Sequence, residues 1–243
     1  MRHIVWHVSV VVVVPTYNER ETVGPHVRAV LDRPVRPSVI VVDDNSPDGT
    51  GALVSSLAEE FPHRVTLLSR PGKEGLGRAY AAGFAAALAD GSYEVVVQMD
   101  VDGSHAPSDV DRLVAAVANA DLALGSRYVA GGDVSGWTKG REWLSRAGNS
   151  YARRVLRSPV RDLTGGFKAW RADLLATLDP DTTRNDGYGF QIEMTLRAAR
   201  AGARIVELPI VFRDRQVGES KMSGRIALEA LLSVPRMRRG GPA

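Results

Sequence analysis

The alternation of strand-like and helix-like segments in the first half of the chain constrains its fold more than any other feature. Five short runs rich in β-branched residues are separated by four segments of helical length. The strand-like runs are Val8–Val14, Val39–Asp43, Arg64–Ser69, Glu94–Met99 and Asp121–Leu124. The helix-like segments are Glu21–Leu31, Gly51–Phe61, Gly77–Ala89 and Ser108–Ala118. This order predicts an α/β fold with a mainly parallel sheet flanked by helices on both faces.

The alternation ends after Gly125, and the second half of the chain is less regular. With 243 residues the chain can form one substantial core, so we expect a single domain over residues 1–243. The remaining predicted elements are a glycine-rich loop at Val129–Thr138, a basic helix at Gly140–Arg157, a strand at Leu163–Trp170, a helix at Asp186–Ala201, an extended segment at Arg204–Phe212 and a C-terminal helix at about 223–234.

Composition and hydropathy exclude several classes of protein. The chain has no cysteine, which excludes a disulfide scaffold, a thiolate metal site and a cysteine nucleophile. Its longest apolar run, Ile4–Val14, is too short to cross a bilayer and is better interpreted as a buried parallel strand. We therefore expect a protein that is not integral to a membrane.

Positive charge is concentrated in one block of the chain. Between Arg127 and Arg171, ten Lys or Arg residues stand against three Asp or Glu, a net charge of +7 in a chain whose total is +3. Such a block is either a solvated face or a surface that attracts phosphates or anionic lipids. The predicted basic helix within it carries an apolar stripe with spacings of four, formed by Trp143, Ala147, Tyr151 and Val155. This stripe is typical of a helix at a membrane interface, and a helix packed on its own domain has the same pattern.

Polar clusters follow three of the predicted strands at the point where each strand ends. They are Pro15-Thr16-Tyr17-Asn18-Glu19, Asp43-Asp44-Asn45-Ser46 and Asp100-Val101-Asp102. Ligands of open α/β sheets bind at the carboxyl ends of the strands. The sequence therefore predicts a ligand crevice along this edge. The second cluster is either a helix-capping turn or a place where two adjacent acids read a nucleobase or a ribose.

Asp100 and Asp102 allow three interpretations. In phosphatases of the haloacid dehalogenase type the first Asp of Asp-x-Asp is a nucleophile that takes a phosphoryl group. Their motif follows the first core strand, whereas here the pair follows the fourth. Alternatively, the aspartates cap the helix after Pro107. Carboxylates at a strand end also suit Mg²⁺ or Mn²⁺, whose coordination shell is completed by substrate phosphates. The position of the pair favours the metal site.

Other motifs of known chemistry are absent from the sequence. Arg70–Phe84 places glycines and Lys73 before a helix, but it lacks the Gly-Lys-Ser/Thr ending of a P-loop. No Gly-x-Gly-x-x-Gly follows the first strand, and there is no nucleophile elbow or His-Glu-x-x-His. The five histidines have no metal-ligand spacing, so we interpret them as structural.

Seven segments, in order along the chain, resemble a known family. They are VVVVPTYNERETV, VVDDNSPDGT, GKEGLGRAYAAGF, MDVDGSHAP, LTGGFKAWR, GYGFQIEM and FRDRQVGESKM. This set is similar to the dolichyl-phosphate mannosyltransferases, also called polyprenol monophosphomannose synthases, which are family 2 glycosyltransferases. The resemblance covers about Val8 to Ser223. It implies a GT-A fold, the Rossmann-like fold of nucleotide-diphospho-sugar transferases. It also implies transfer of mannose from GDP-mannose to a polyprenyl phosphate with inversion at the anomeric carbon.

The resemblance also implies roles for individual residues. It assigns Asp100 and Asp102 to Mg²⁺ or Mn²⁺, and it assigns Arg213 and Lys221 to a segment that closes over the leaving diphosphate. Ser104 is a candidate for a further metal ligand, although a hydroxyl is a poor one. The expected nucleotide contacts are Pro15, Tyr17, Glu19, Val42, Asp44 and the backbone of Val101. The expected acceptor contacts are Arg127, Arg141 and Ser145. Gln191 and Glu193 lie where such enzymes place acceptor-side acids, or form an inward polar contact of a helix.

Two departures from the family pattern bear on these expectations. Val101 replaces an alanine that is common between the aspartates, and the C-terminal transmembrane helices of some relatives are missing. We therefore expect a cytoplasmic protein, peripheral on the cytoplasmic face of a membrane, for which a membrane-anchoring partner protein is one option. Expected partners are GDP-mannose, a polyprenyl phosphate and the membrane surface, and no nucleic acid. The alternatives are transfer of glucose or a modified sugar to undecaprenyl phosphate, a protein or polysaccharide acceptor, and a degenerate subunit that binds nucleotide sugar without catalysis.

Overall fold

The structure, a computed structural model, describes residues 8–214 and 232–238. Its strands are β1 (Val10–Thr16), β2 (Ser38–Asp43), β3 (Val65–Ser69), β4 (Val95–Gln98), β5 (Leu122–Ser126), β6 (Asp133–Ser135), β7 (Lys168–Arg171), β8 (Ile205–Pro209) and β9 (Val211–Arg213). Its helices are α1 (Arg20–Leu31), α2 (Thr50–Glu60), α3 (Leu76–Asp90), α4 (Val110–Val117), α5 (Lys139–Leu156), α6 (Ala172–Thr177) and α7 (Gly187–Arg200). Short 3₁₀ turns lie at Pro107–Asp109 and Pro180–Thr182.

Seven strands form one sheet in the order β3-β2-β1-β4-β7-β5-β8. All its pairings are parallel except those of β7, which is antiparallel to β4 and to β5. β6 and β9 form a separate parallel pair. The predicted α/β fold with a mainly parallel sheet is thereby confirmed.

Strand β1 shows why the sheet is covered on both faces. Val10, Val12 and Val14 pack into the core on the side of α1, α2 and α4. Val11 and Val13 pack into a second core, with residues of α3 and α7. A strand that is buried on both faces has a continuous run of apolar residues in its sequence, and this segment has such a run.

Three predicted elements in the second half differ from the structure. The strand predicted at Leu163–Trp170 spans only Lys168–Arg171, since residues 163 and 164 form a turn and residues 165–167 have no regular secondary structure. The extended segment at Arg204–Phe212 divides into β8 and β9. Part of the predicted glycine-rich loop forms β6, which pairs with β9. Helix α6 has no counterpart in the prediction.

The C-terminal segment packs on the basic helix. Residues 232–238 are helical, and Val234 and Met237 join Ala152 of α5 and Leu163 in a third core cluster. Arg200 Nη2 donates to the carbonyl oxygen of Met237 at 2.7 Å. The rest of the helix predicted at about 223–234, together with Lys221, lies outside the described residues. Among the described helices, none is both long enough and apolar enough to cross a membrane.

Candidate active site

A cavity of about 280 Å³ opens at the carboxyl ends of β1, β2 and β4. It lies where the polar clusters at the strand ends predicted a ligand crevice. Eleven of the residues singled out from the sequence line it: Pro15, Tyr17, Glu19, Asp44, Asp100, Val101, Asp102, Ser104, Arg127, Arg141 and Gln191.

Four other expected site residues do not line this cavity. Val42 is completely buried, and its side chain packs in the core beside Val13. The hydroxyl of Ser145 is hydrogen-bonded to that of Tyr128 at 2.7 Å.

Glu193 accepts hydrogen bonds from Arg197 Nη2 and from Asn185 Nδ2, each at 2.6 Å, so it fixes the start of α7. Arg213 is connected to the site through its backbone, because its N–H donates a hydrogen bond to the carbonyl oxygen of Ser104 at 3.2 Å.

Several cavity residues were not predicted from the sequence. Lys73 lies in the glycine-containing segment before α3, and its ammonium is 4.5 Å from the ring centroid of Tyr17. Trp137, Tyr188 and Phe212 supply an aromatic wall. Thr16, the last residue of β1, also lines the cavity and belongs to a cluster that the sequence predicted. The other unpredicted lining residues come from loops and helix starts: Gly75, Leu76, Ala79, His105, Thr164, Gly166, Asp186, Gly187 and Asp214. Lys73 was detectable as a cation next to glycines, whereas the others follow from tertiary contacts.

Hydrogen bonds hold both aspartates of the pair. The hydroxyl of Tyr80 donates to Asp100 Oδ1 at 2.5 Å, and the backbone N–H of Asp100 donates to His105 Nδ1 at 3.1 Å. Asp102 Oδ1 accepts from the backbone N–H of Ser104 at 3.0 Å. Burial raises the pKa of Tyr80 well above its ordinary value, and Asp100 adds to this effect. Tyr80 therefore remains a donor to the carboxylate.

The histidines near this loop are neutral. Burial lowers the pKa of His105, and its Nδ1 acts as an acceptor. His26 on α1 is also buried, and burial, with a smaller effect of His105, lowers its pKa to about 4 against the opposing effect of Asp102. Its Nε2 has no hydrogen-bond partner within the described ranges.

The oxygen atoms around Asp102 fit a hard divalent cation. Ser104 Oγ is buried and has no hydrogen-bond partner in the part of the chain that the structure describes. The same part contains no group of three or more His, Cys, Asp or Glu residues that would enclose a metal. Two carboxylates and a hydroxyl therefore suit Mg²⁺ or Mn²⁺, which retain water and substrate phosphates in their shell, better than a closed structural site.

The loops after β1 and β2 are joined by side-chain contacts. The backbone N–H groups of Asn18, Glu19 and Arg20 donate to Ser46 Oγ, Thr50 Oγ1 and Asp48 Oδ2 at 3.0, 3.0 and 3.1 Å. These donors at the start of α1 are satisfied by the neighbouring loop, so the turn residues of VVDDNSPDGT have a structural function.

Asp43 and Asp44 have different environments. Asp43 accepts from Thr16 Oγ1 at 3.0 Å and from Ser46, and therefore belongs to the loop structure. Asp44 lines the cavity, and Arg70 Nη1 donates to its Oδ1 at 2.5 Å. Burial raises the pKa of Asp44, and Arg70 opposes this shift. Asp44 is thus the acid of this cluster that lines the cavity.

Arg127 follows β5, which is separated from β2 in the sheet, and it lines the cavity in a buried ion pair. Its Nε and Nη2 donate to the two carboxylate oxygens of Asp162, each at 2.7 Å. Burial opposes both charges, but each partner outweighs it, so the pKa of Arg127 is raised and that of Asp162 is lowered. The guanidinium also lies 5.4 Å from the ring centroid of Phe212.

Arg141 brings a second cation to the cavity. Its guanidinium lies 4.4 Å from the ring centroid of Trp137, and its Nη1 donates to Asp214 at 2.9 Å. Arg141 is in the first turn of α5, and the hydroxyl of Thr138 caps that turn. Two arginines that line the cavity therefore lie close to the same aromatic ring, that of Trp137.

The sheet order and the Asp-x-Asp loop at its carboxyl edge define a GT-A fold of the nucleotide-diphospho-sugar transferase type. The chain belongs to glycosyl transferase family 2, whose model matches residues 11–179. It is 48% identical over 227 residues to the undecaprenyl-phosphate mannosyltransferase of Micrococcus luteus, covering 93% of each chain. It is 47% identical over 224 residues to the polyprenol monophosphomannose synthase of Mycolicibacterium smegmatis, covering 92% of this chain and 84% of that one. The resemblance inferred from the motifs is thereby confirmed.

Solved structures support the fold. Glucosyl-3-phosphoglycerate synthase from Mycobacterium tuberculosis, in complex with phosphoglyceric acid, matches with a TM-score of 0.72 at 20% identity, covering 98% of this chain and 82% of that one. The same enzyme in complex with Mn²⁺, UDP-glucose and phosphoglyceric acid matches with a TM-score of 0.70 at 21% identity, covering 98% and 81% of the two chains. At this identity the likeness concerns the fold.

Proposed function

We propose that this protein transfers mannose from GDP-mannose to a polyprenyl phosphate, with inversion at the anomeric carbon. The observation that carries the proposal is a single cavity lined by Asp44 after β2, by Asp100 and Asp102 after β4, and by Arg127 after β5, strands that lie in this order across the sheet. Arg141 also lines the cavity and contacts the same Trp137 ring as Arg127. The order across the sheet matches a nucleoside, a diphosphate and an acceptor phosphate. The names of the two relatives with 48% and 47% identity support both mannose and a polyprenyl phosphate as substrates.

Asp44 is the proposed contact to the nucleoside. Arg70 holds one of its oxygens at 2.5 Å, which orients the carboxylate in the cavity wall. A carboxylate accepts hydrogen bonds from the adjacent N–H groups of guanine or from the hydroxyls of ribose. Tyr17, under Lys73, supplies an aromatic face beside it.

Asp100, Asp102 and Ser104 would hold Mg²⁺ or Mn²⁺ against the diphosphate. The cation, when bound, supplies positive charge that stabilises the leaving nucleoside diphosphate. The solved neighbour with Mn²⁺ and UDP-glucose supports a divalent cation in this fold. We also propose that Arg213 and Lys221 add positive charge to the diphosphate. The backbone bond from Arg213 to Ser104 couples this segment to the Asp-x-Asp loop.

The acceptor explains why the site needs no strong protein base. A phosphate monoester has its second pKa near ~6, so its oxygen is already anionic at neutral pH. The task of the protein is then to position two anions, because orientation and electrostatic stabilisation dominate such a displacement. Arg127 and Arg141 would hold the acceptor phosphate, and attack opposite the leaving diphosphate inverts the anomeric carbon.

We further propose that α5 places the protein on the cytoplasmic face of a membrane. Trp143 and Leu144 are 71% and 61% exposed, and a shallow groove beside them is lined by Tyr151, Arg146 and Arg154. Exposed aromatic side chains beside arginines favour the interface of an anionic bilayer. Since Arg141 lies in the first turn of the same helix and lines the cavity, docking of α5 would bring the lipid phosphate to the site.

The direct test is transfer of radiolabelled mannose from GDP-mannose to polyprenyl phosphate, measured as label extracted into organic solvent, with Mg²⁺ or Mn²⁺ present. UDP-glucose is the parallel donor. We expect transfer from GDP-mannose to exceed transfer from UDP-glucose. Preference for UDP-glucose, or the absence of transfer from both donors, would contradict the proposal.

A further inference from the structure

Four buried polar side chains form a hydrogen-bonded chain beneath the cavity. Lys168 Nζ donates to Gln191 Oε1 at 2.9 Å and to the backbone carbonyl oxygen of Gln191 at 3.0 Å. Gln98 Nε2 donates to the same Gln191 Oε1 at 2.7 Å, and Trp170 Nε1 donates to Gln98 Oε1 at 3.4 Å. Lys168 and Gln98 are register partners in the antiparallel pair of β7 and β4.

The hydrogen-bonded chain ends in two groups that donate, Trp170 and Lys168, and these fix the orientation of the side-chain amides of Gln98 and Gln191. The indole N–H of Trp170 can only donate, so it requires Gln98 Oε1 on its side and places Gln98 Nε2 toward Gln191. Gln191 must then present Oε1 to Gln98, and Lys168 donates to that same oxygen. The remaining polar group of the Gln191 side chain is its Nε2, which is a donor.

Gln191 Nε2 lies near Asp100, on the other side of Gly166. Gln191, Asp100 and Gly166 all line the cavity. A Cβ added to Gly166 would lie 3.6 Å from Gln191 Nε2 and 3.4 Å from Asp100 Oδ2. The glycine therefore leaves open a small space that a donor from Gln191 and an acceptor from Asp100 both border. A hydroxyl group, which donates and accepts, is complementary to that pair.

We infer that Gln191 Nε2 donates a hydrogen bond to a hydroxyl group of the transferred sugar, and that Lys168 is a positioning residue that fixes this amide. This inference rests on the proposed function, since it assigns the sugar of the donor to the space beside Asp100. It also accounts for a fully buried lysine, whose burial lowers its pKa to about 7. Burying an amine destabilises the folded protein unless the amine is hydrogen-bonded, and here Gln191 accepts the hydrogen bonds of Lys168.

The test compares the dissociation constants of GDP-mannose and GDP, measured by calorimetry with Mg²⁺ for the wild type and Gln191→Glu. The variant retains the acceptor oxygen toward Lys168 and Gln98 but replaces the donor Nε2 with an oxygen. We expect the dissociation constant of GDP-mannose divided by that of GDP to rise about tenfold. The variant lacks the donor for the sugar hydroxyl, so it binds the sugar-bearing nucleotide less well relative to GDP. An unchanged ratio in Gln191→Glu would overturn the inference.

Lys168→Met tests positioning separately from folding. We expect the same ratio to rise several-fold, since Gln191 loses one of the two donors that hold it. In a Gln191→Met background, addition of Lys168→Met should leave the ratio unchanged, because the group through which Lys168 acts is already absent. This double variant replaces both polar partners with apolar side chains and is the form to use if a single variant does not fold.

The wild type separates this inference from the proposed function. Wild-type protein that fails to bind GDP-mannose would overturn the proposed donor. If the wild type binds GDP-mannose and the variants have the same ratio as the wild type, the role of Gln191 is overturned and the proposed donor is retained. A further rise in the ratio on addition of Lys168→Met to Gln191→Met would show that Lys168 does not act through Gln191.

Discussion

Arg127 and Asp162 form a bidentate ion pair inside the protein, with 4% of the arginine side chain and none of the aspartate side chain exposed. Asp162 Oδ2 also accepts from the backbone N–H of Arg127 at 3.0 Å, and Thr164 Oγ1 accepts from Arg127 Nη2 at 2.7 Å. The pair connects the end of β5 to the turn before β7. The same guanidinium that lines the cavity is thus also part of the structure of the domain.

We expect Asp162→Ala to lower the free energy of unfolding by about 3–5 kcal/mol, because it leaves a buried charge without its partner. Urea denaturation measures this loss. Asp173→Ala is the matched control, since Asp173 is 66% exposed and pairs with the exposed Arg171. A loss in Asp162→Ala no larger than that of the control would contradict the prediction.

Asp102→Asn should reduce transfer at least about a hundredfold while the thermal midpoint Tm stays within a few degrees. The change retains size and hydrogen bonding but weakens a ligand for the cation that stabilises the leaving group. Asp102 lies at the cavity rather than in the core, so folding is spared. EDTA should abolish wild-type transfer, and added Mg²⁺ or Mn²⁺ should restore it. Full activity in Asp102→Asn, or indifference to EDTA, would remove the metal from the proposed site.

Asp44→Asn should weaken the binding of GDP about tenfold, since a hydrogen bond to a charged group contributes about 1.5–3 kcal/mol. Calorimetry with GDP measures the effect. Glu74→Gln is the control, because Glu74 also pairs with Arg70 but is 68% exposed and does not line the cavity. If both variants bind GDP as the wild type does, the nucleoside does not contact Asp44.

The fold could be predicted largely from the sequence because its first half is built from local signals. Continuous apolar runs mark β1 and β2, and helical segments of ordinary length separate them. The reversed direction of β7 and the pairing of β6 with β9 depend on contacts between residues distant in the chain. No local pattern encodes such contacts.

The site could be predicted where a carboxylate follows a strand, as for Asp44 and Asp100. The sequence did not distinguish Asp43, which stabilises a turn, from Asp44, which lines the cavity. Their difference arises from the side to which each alternating side chain points at the end of β2. Trp137 reaches the cavity only because β6 and β9 pair, so its place was not predictable.

Stability should fall with pH below neutrality because of His26. Its pKa is 6.5 in the unfolded chain and about 4 in the folded protein, so between these values the unfolded state binds more protons. The stability contribution is therefore complete above pH 6.5 and is lost as the pH falls toward 4, by about 3 kcal/mol in total. Denaturation from pH 7 to pH 4 should show a shallower decline for His26→Leu. Equal declines in wild type and variant would contradict this assignment.

Trp143→Glu should weaken binding to liposomes that contain anionic lipid, without change in affinity for GDP-mannose. The substitution puts a charge on the exposed apolar face of α5, where it disfavours insertion at the interface. Wild-type binding should also fall with added salt, because arginines supply part of the attraction. Ala52→Glu on α2 is the control, since it makes the same charge change at another exposed position. Wild-type protein that ignores such liposomes at low salt would contradict the membrane proposal.

Strand β7 has a consequence for the way in which the chain reaches its folded state. The first four strands can pair with one another as they appear, but β5 and β8 join them only through β7, which matches Val95 to Arg171 and Leu122 to Trp170. Until β7 inserts, β4 and β5 each present an unpaired edge that can recruit another chain. Such late, non-local pairing is slow. We therefore expect nascent chains that end before Lys168 to aggregate readily and to depend on chaperones until the strand is synthesised.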